Sequence, residues 1–188
     1  MSLFAQVQLL ALGAGGLAVV FVWSFCEGVI WPFVAELPLV VLLVTVGVGW
    51  RALLLISVSA LGSLVGVATT WAIAESGRKS PIFFTHPRML ETARMGLIES
   101  PSKAFMQHMF NGVPVKAYAY QAGDLGIPLP VVLLSAWPRV TRIFIVGGGG
   151  VLLGVVSAGL LKDYLGWAML FGGLGYLFIL RLVVRNWR

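Results

Sequence analysis

Six ionisable residues lie within stretches that are otherwise greasy: Glu27, Glu36, Lys116, Asp124, Arg139 and Arg142. A charge at the centre of a membrane helix costs about 2.5–3.5 kcal/mol on insertion scales, so each needs a partner, a wet cavity or a neutral form. The acids of the first half face mostly bases in the second, an arrangement that invites pairing across a central cavity. Arg139 and Arg142 are three apart and so share one helical face. Other chemistries find less support. His86 and His108 are too isolated for a metal site, and Cys26 is the only cysteine, which excludes an intrachain disulfide. Ser57, Ser59 and Ser63 read as helix-packing residues rather than nucleophiles, because no apolar stretch offers a histidine at helical spacing.

The elements that must hold these groups follow from composition. Of 188 residues, 59% are hydrophobic and 11% charged, against roughly 45–50% and about 25% in soluble domains. A soluble enzyme or nucleic-acid reader is nearly excluded. The net charge of +6 sits between or beside apolar runs, which reads as membrane topology. The fold expected is an all-α polytopic membrane protein forming one domain, 1–188.

Leu3–Cys26 has no charge and the length of a span. It lacks the basic start of a cleavable signal peptide, so a retained first helix is expected. Residues 27–50 are broken by Pro32 and Pro38 and leave too short an apolar run to cross, which predicts a re-entrant hairpin. Ala52–Ala74 is a second span and completes the first half, 1–74. Residues 75–103 carry the densest charge and predict a surface loop with an amphipathic helix over Arg88–Glu99, its Leu90, Ala93 and Leu97 at helical spacing. Residues 104–138, interrupted by Gly112, Pro114, Pro128, Pro130 and Pro138, predict a second re-entrant hairpin. Ile143–Leu161 and Tyr164–Leu180, turning at Lys162-Asp163, are the last spans of the second half, 104–188.

Positive charge in the 75–103 loop and in the tail predicts that both, and the N-terminus, are cytoplasmic. Trp50 beside Arg51 and Trp187 beside Arg188 suit interface anchors. The two hairpins then enter from opposite sides, as in inverted-repeat transporters with a midplane site. Asp124 reads as a hairpin-tip residue. Gly62/Gly66 and the Gly147–Gly150 run suit close helix packing.

Several motifs resemble the DedA (SNARE-associated, or VTT-domain) family, in particular its YqaA-like branch. Residues 26–36, Cys-Glu-Gly-Val-Ile-Trp-Pro-Phe-Val-Ala-Glu, resemble its first re-entrant motif, with acids at Glu27 and Glu36 flanking Pro32. Gly62-Ser63-Leu64-Val65-Gly66 followed by Trp71 resembles its glycine helix. Phe110-Asn111-Gly112-Val113-Pro114-Val115-Lys116, then Ala122-Gly123, resembles its second re-entrant motif. Ser135–Phe144, with Arg139 and Arg142, resembles its basic segment.

The resemblance implies proton-dependent transport in a bacterial cytoplasmic (inner) membrane, with polyprenyl phosphates such as undecaprenyl phosphate as substrate class. Glu27 and Glu36 would couple protons, since burial of a carboxyl group favours its neutral form. Lys116, Arg139 and Arg142 would hold the head group. Membrane lipids and protons are the expected partners, with no nucleic acid, metal or cofactor. Plainer roles stay open: Glu27 or Glu36 capping a half-helix, Lys116 snorkelling to an interface, Arg139 and Arg142 setting topology. So do a small anion as cargo, passive scrambling, a homo-oligomer, and an accessory role in a larger membrane complex. A membrane enzyme is not expected, because the chain offers no nucleophile–base pair.

Overall fold

A computed structural model of the chain describes residues 1–30, 34, 36–78, 85–107 and 111–186. Every regular element among them is a helix. In chain order these are α1 (Leu3–Leu12), α2 (Ala14–Val29), α3 (Glu36–Val46), α4 (Trp50–Glu75), α5 (Pro87–Glu99), α6 (Pro101–Gln107), α7 (Val115–Asp124), α8 (Leu129–Ser135), α9 (Trp137–Val156) and α10 (Ala158–Asn186). Among the described residues three stretches are long and apolar enough to cross a membrane: Trp50–Glu75, Leu129–Val156 and Gly159–Leu182. The α1–α2 pair makes a fourth if counted as one bent span. The protein is an all-α integral membrane protein.

The first span is not the continuous helix expected over Leu3–Cys26. It bends by 83° between α1 and α2. Gly13 ends α1 in extended backbone, and a Cβ at Gly16 would stand 2.6 Å from the Leu10 carbonyl oxygen, so only glycine allows the fold-back. Carbonyls freed by such a break need donors, because lipid supplies none. Arg51 provides them: Nε donates to the Ala11 carbonyl at 2.9 Å and Nη2 to that of Gly13. Arg51 also lies over the Trp50 ring. Beyond the bend α2 runs on through Glu27 and Gly28, so these two residues close a helix.

Every proline among the described residues stands at the start of a helix. Pro38 is in the first turn of α3, Pro87 and Pro101 open α5 and α6, and Pro114 caps α7. Pro128 and Pro130 flank the start of α8, and Pro138 is second in α9. There the missing N–H costs nothing, since the first-turn donors have no intrahelical acceptor. This corrects the later boundaries. The third span is Leu129–Val156 rather than Ile143–Leu161, so Arg139 and Arg142 lie inside it. The chain breaks at Ser157, and Lys162 and Asp163 are helical, not a turn. Pro32, Phe110, His108, Trp187 and Arg188 lie outside the described residues.

The short helices lean on the long helices of the opposite half: α3 packs on α9 and α7 on α4. The most extensive contact joins α2 to α4. It depends on small residues, since a Cβ at Gly62 or Gly66 would fall 2.5 or 2.6 Å from the carbonyl oxygen of Phe21 or Phe25. Such close crossing is how helices associate where hydrophobic exclusion gives no drive.

The amphipathic helix forms nearly as expected, one residue longer, capped by His86 Nδ1 accepting from the Arg88 N–H. Its apolar face does not lie on lipid. Met89, Ala93 and Leu97 are buried in a cluster with Tyr118 and Ala122 of α7, and Arg94 pairs with Asp124 at 2.8 Å. Of the three spans α10 is the least embedded: 6% of its most apolar stretch is buried within the protein, against 50% for α4.

Candidate functional site

Four of the five proposed site residues fall into two ion pairs, one helical turn apart on α9. Arg139, in the first turns of α9, is 1% exposed and among the largest fully buried side chains. Its Nη2 donates to Glu27 Oε2 at the end of α2, and its Nε donates to Ser63 Oγ on α4 at 2.5 Å. Among the described residues Nη1 is buried without a hydrogen-bond partner. Arg142 grips Glu36 with both prongs of its fork, Nε to Oε1 at 2.8 Å and Nη2 to Oε2 at 3.1 Å. The Arg142 side chain is 25% exposed and that of Glu36 7%. Glu36 also opens α3, where a carboxylate is favoured by the helix dipole.

Lys116, second in α7, is fully buried, and its Nζ donates to the carbonyl of Ile30, the cap of α2, at 2.6 Å. It does not snorkel to an interface. A cation at a helix C-terminus is favourable. The end of α2 is therefore met by two cations from the second half of the chain. Lys116, Arg139 and Arg142 are each engaged with the first half, rather than converging on one empty seat for a head group. Glu27 and Glu36 are the only buried acids, the other five being exposed or, for Asp124, paired at the surface. Two acids against three bases leave the polar centre one charge positive.

The motif residues act as framework. A Cβ at Gly28 would meet the Gly66 backbone at 2.9 Å, and one at Gly123 would strike the Trp71 carbonyl oxygen. Gly112 takes φ 71°, a left-handed conformation that favours glycine. Next to it Asn111 Oδ1 accepts from the Val113 N–H at 3.0 Å, and its Nδ2 donates to the Tyr118 hydroxyl at 2.7 Å. Pro114 then caps α7. Ser24 bonds Ser59 at 2.8 Å, and Thr70 Oγ1 donates to the Gly28 carbonyl at 2.8 Å. Ser59, Ser63, Gly66 and Thr70 thus form one polar and small stripe on α4. Their spacing of four, three and four was the signal that could have marked Ser63 as a ligand of Arg139.

Beside the Arg142–Glu36 pair runs a groove of about 680 Å³ walled by α3, α9 and α10. Its lining includes Trp23, Glu36, Val40, Val44, Val146, Leu153, Leu165 and Gly172, and Glu36 is the only charged residue among the described ones there. At its polar end two side chains hold the Val34 backbone: Trp23 Nε1 donates to its carbonyl at 3.0 Å, and its N–H donates to the Tyr176 hydroxyl at 3.2 Å. Tyr176 belongs to α10. Nothing in the sequence pattern pointed to it.

No family model, characterised protein or solved structure matches the chain. The functional reading therefore rests on the geometry of these charges and the groove beside them.

Proposed function

We propose that the protein is a proton-coupled transporter, or flippase, of an anionic lipid of the polyprenyl-phosphate class. The observation that carries this reading is the bidentate Arg142–Glu36 pair at the edge of an apolar groove. An amphiphile needs both features: a fork of donors for its phosphate and a greasy surface for its chain. The carboxylate of Glu36 occupies the donors that a phosphate would require. Protonating Glu36 neutralises it and frees them, so a proton on Glu36 and an anion on Arg142 bind together. The positive excess of the centre favours an anion over a cation.

In this reading the end of α2 with α3, and α7 with α8, are re-entrant arms that reach into the bilayer from opposite sides. Helices of 11 and 10 residues are too short to cross a core of roughly 30 Å. The basic 75–103 segment and the tail then face the cytoplasm. Glu27 and Arg139 act as the fixed post against which the second pair works. The resemblance to DedA proteins supports the same substrate class.

A second reading, an accessory subunit of a larger membrane complex, is favoured by one observation. Gly172, Gly173 and Gly175 on α10 have nothing within 4 Å of a would-be Cβ, which leaves room for a partner helix. One experiment separates the two. The purified chain alone, in proteoliposomes, should move a fluorescent polyprenyl phosphate between leaflets faster with a proton gradient than without one. No movement by the correctly inserted chain would favour the subunit.

A further inference from the structure

We propose that the groove walled by α3, α9 and α10 seats one hydrocarbon chain of the transported anion, with Tyr176 marking the junction between chain and head group. This rests on the transport reading but assigns a location that the charged pairs alone do not. The groove's volume of about 680 Å³ falls within the roughly 300–1,000 Å³ of small-molecule sites. Its lining is apolar, from Val40 and Val44 of α3 and Leu153 of α9 to Ala168 and Gly172 of α10, with Glu36 at the start of α3 as the one carboxylate among the described residues. An inorganic anion would gain nothing from such a surface, and a neutral alkane nothing from Glu36 and its arginine.

Tyr176 suits a boundary position. Its hydroxyl oxygen accepts the N–H of Val34, which lines the groove two residues from Glu36. The opposite wall is the weakly embedded helix α10, where Gly172 leaves open space. A chain lying there would touch α3 and α10 together.

Photolabelling in lipid nanodiscs tests this on the full chain. The probes are a monoalkyl phosphate carrying a diazirine midway along its chain and the matching alkyl alcohol. The phosphate probe should label residues on both α3 and α10 within the groove, at least roughly tenfold more than the alcohol does, the range set by losing a charged hydrogen-bonded contact. Arg142→Gln should remove that preference. Gly172→Leu, which fills the groove where nothing stands in the way, should abolish groove labelling. It should leave displacement of the Glu36 contact by inorganic phosphate unchanged. Equal groove labelling by both probes, unaffected by Arg142→Gln, would mean that ordinary bilayer lipid fills the groove and would overturn the inference. Arginine-dependent labelling that falls elsewhere would overturn the groove assignment while leaving the transport reading intact.

Discussion

The two arginines of α9 sit three residues apart and do different things. Arg139 is sealed among α2, α4 and α9, with Glu27 and Ser63 on two of its three nitrogens. Among the described residues Arg142 meets Glu36 alone, in a two-pronged contact, and keeps a quarter of its side chain exposed. The first has nowhere to go, and breaking it leaves a bare charge. The second can exchange one carboxylate for another anion of similar shape, because the fork matches both. The contrast teaches that burial, not charge, separates the post from the switch.

The sharpest way to break that comparison is to remove one member of the sealed pair. Arg139→Gln or Glu27→Leu should cost about 3–5 kcal/mol, as expected when a buried partner is left unpaired. Thermal unfolding in a fixed detergent would measure it. The double variant Arg139→Leu/Glu27→Leu should recover much of the loss. Arg142→Gln should lower stability far less, yet weaken handling of the anion, and Arg142→Lys should restore it only in part, since ammonium is a point charge. Equal stability losses at positions 139 and 142 would erase the distinction.

Next in size is the glycine contact that brings the post together. Gly66→Ala should cost about 1–3 kcal/mol, because its Cβ would meet backbone oxygen rather than a movable side chain. Arg51→Gln should cost about the same by leaving the Ala11 and Gly13 carbonyls without donors in the α1–α2 bend.

The charges of the site were legible because ionisable residues in apolar stretches are rare and costly. Their partners were not. Glu27 and Glu36 stand nine apart on either side of a break, and sequence spacing does not tell which of them meets which arginine. The α1–α2 bend was hidden for a different reason. An uncharged run looks continuous, and only the glycines at 13, 15 and 16 hinted that it folds back. Prolines read as interruptions because they cannot continue a helix, but they can equally begin one. The surface helix was visible from its period, but its partner α7 was not, since an apolar face does not say whether lipid or protein will cover it. Tyr176 left no trace, being one aromatic among many on an apolar helix.

The smallest effect belongs to the exposed counterpart of these pairs. Arg94 and Asp124 are 40% and 49% exposed, and Arg94→Ala should change stability by about 0–1 kcal/mol. A larger loss would show that α5 holds the α7 arm in place through charge as well as through Met89, Ala93 and Leu97.

The central claim is that Glu36 carries the proton whose binding frees Arg142 for the anion. Its most direct test is Glu36→Gln in proteoliposomes, where an amide keeps the shape but cannot titrate. One charge moving through 100 mV is worth about 2.3 kcal/mol, enough to bias a distribution roughly fiftyfold. The wild-type chain should lose that bias when an ionophore collapses the proton gradient. The Glu36→Gln chain, equally folded and inserted, should redistribute an anionic polyprenyl phosphate identically with and without the gradient. Retention of full gradient dependence in that variant would contradict the account.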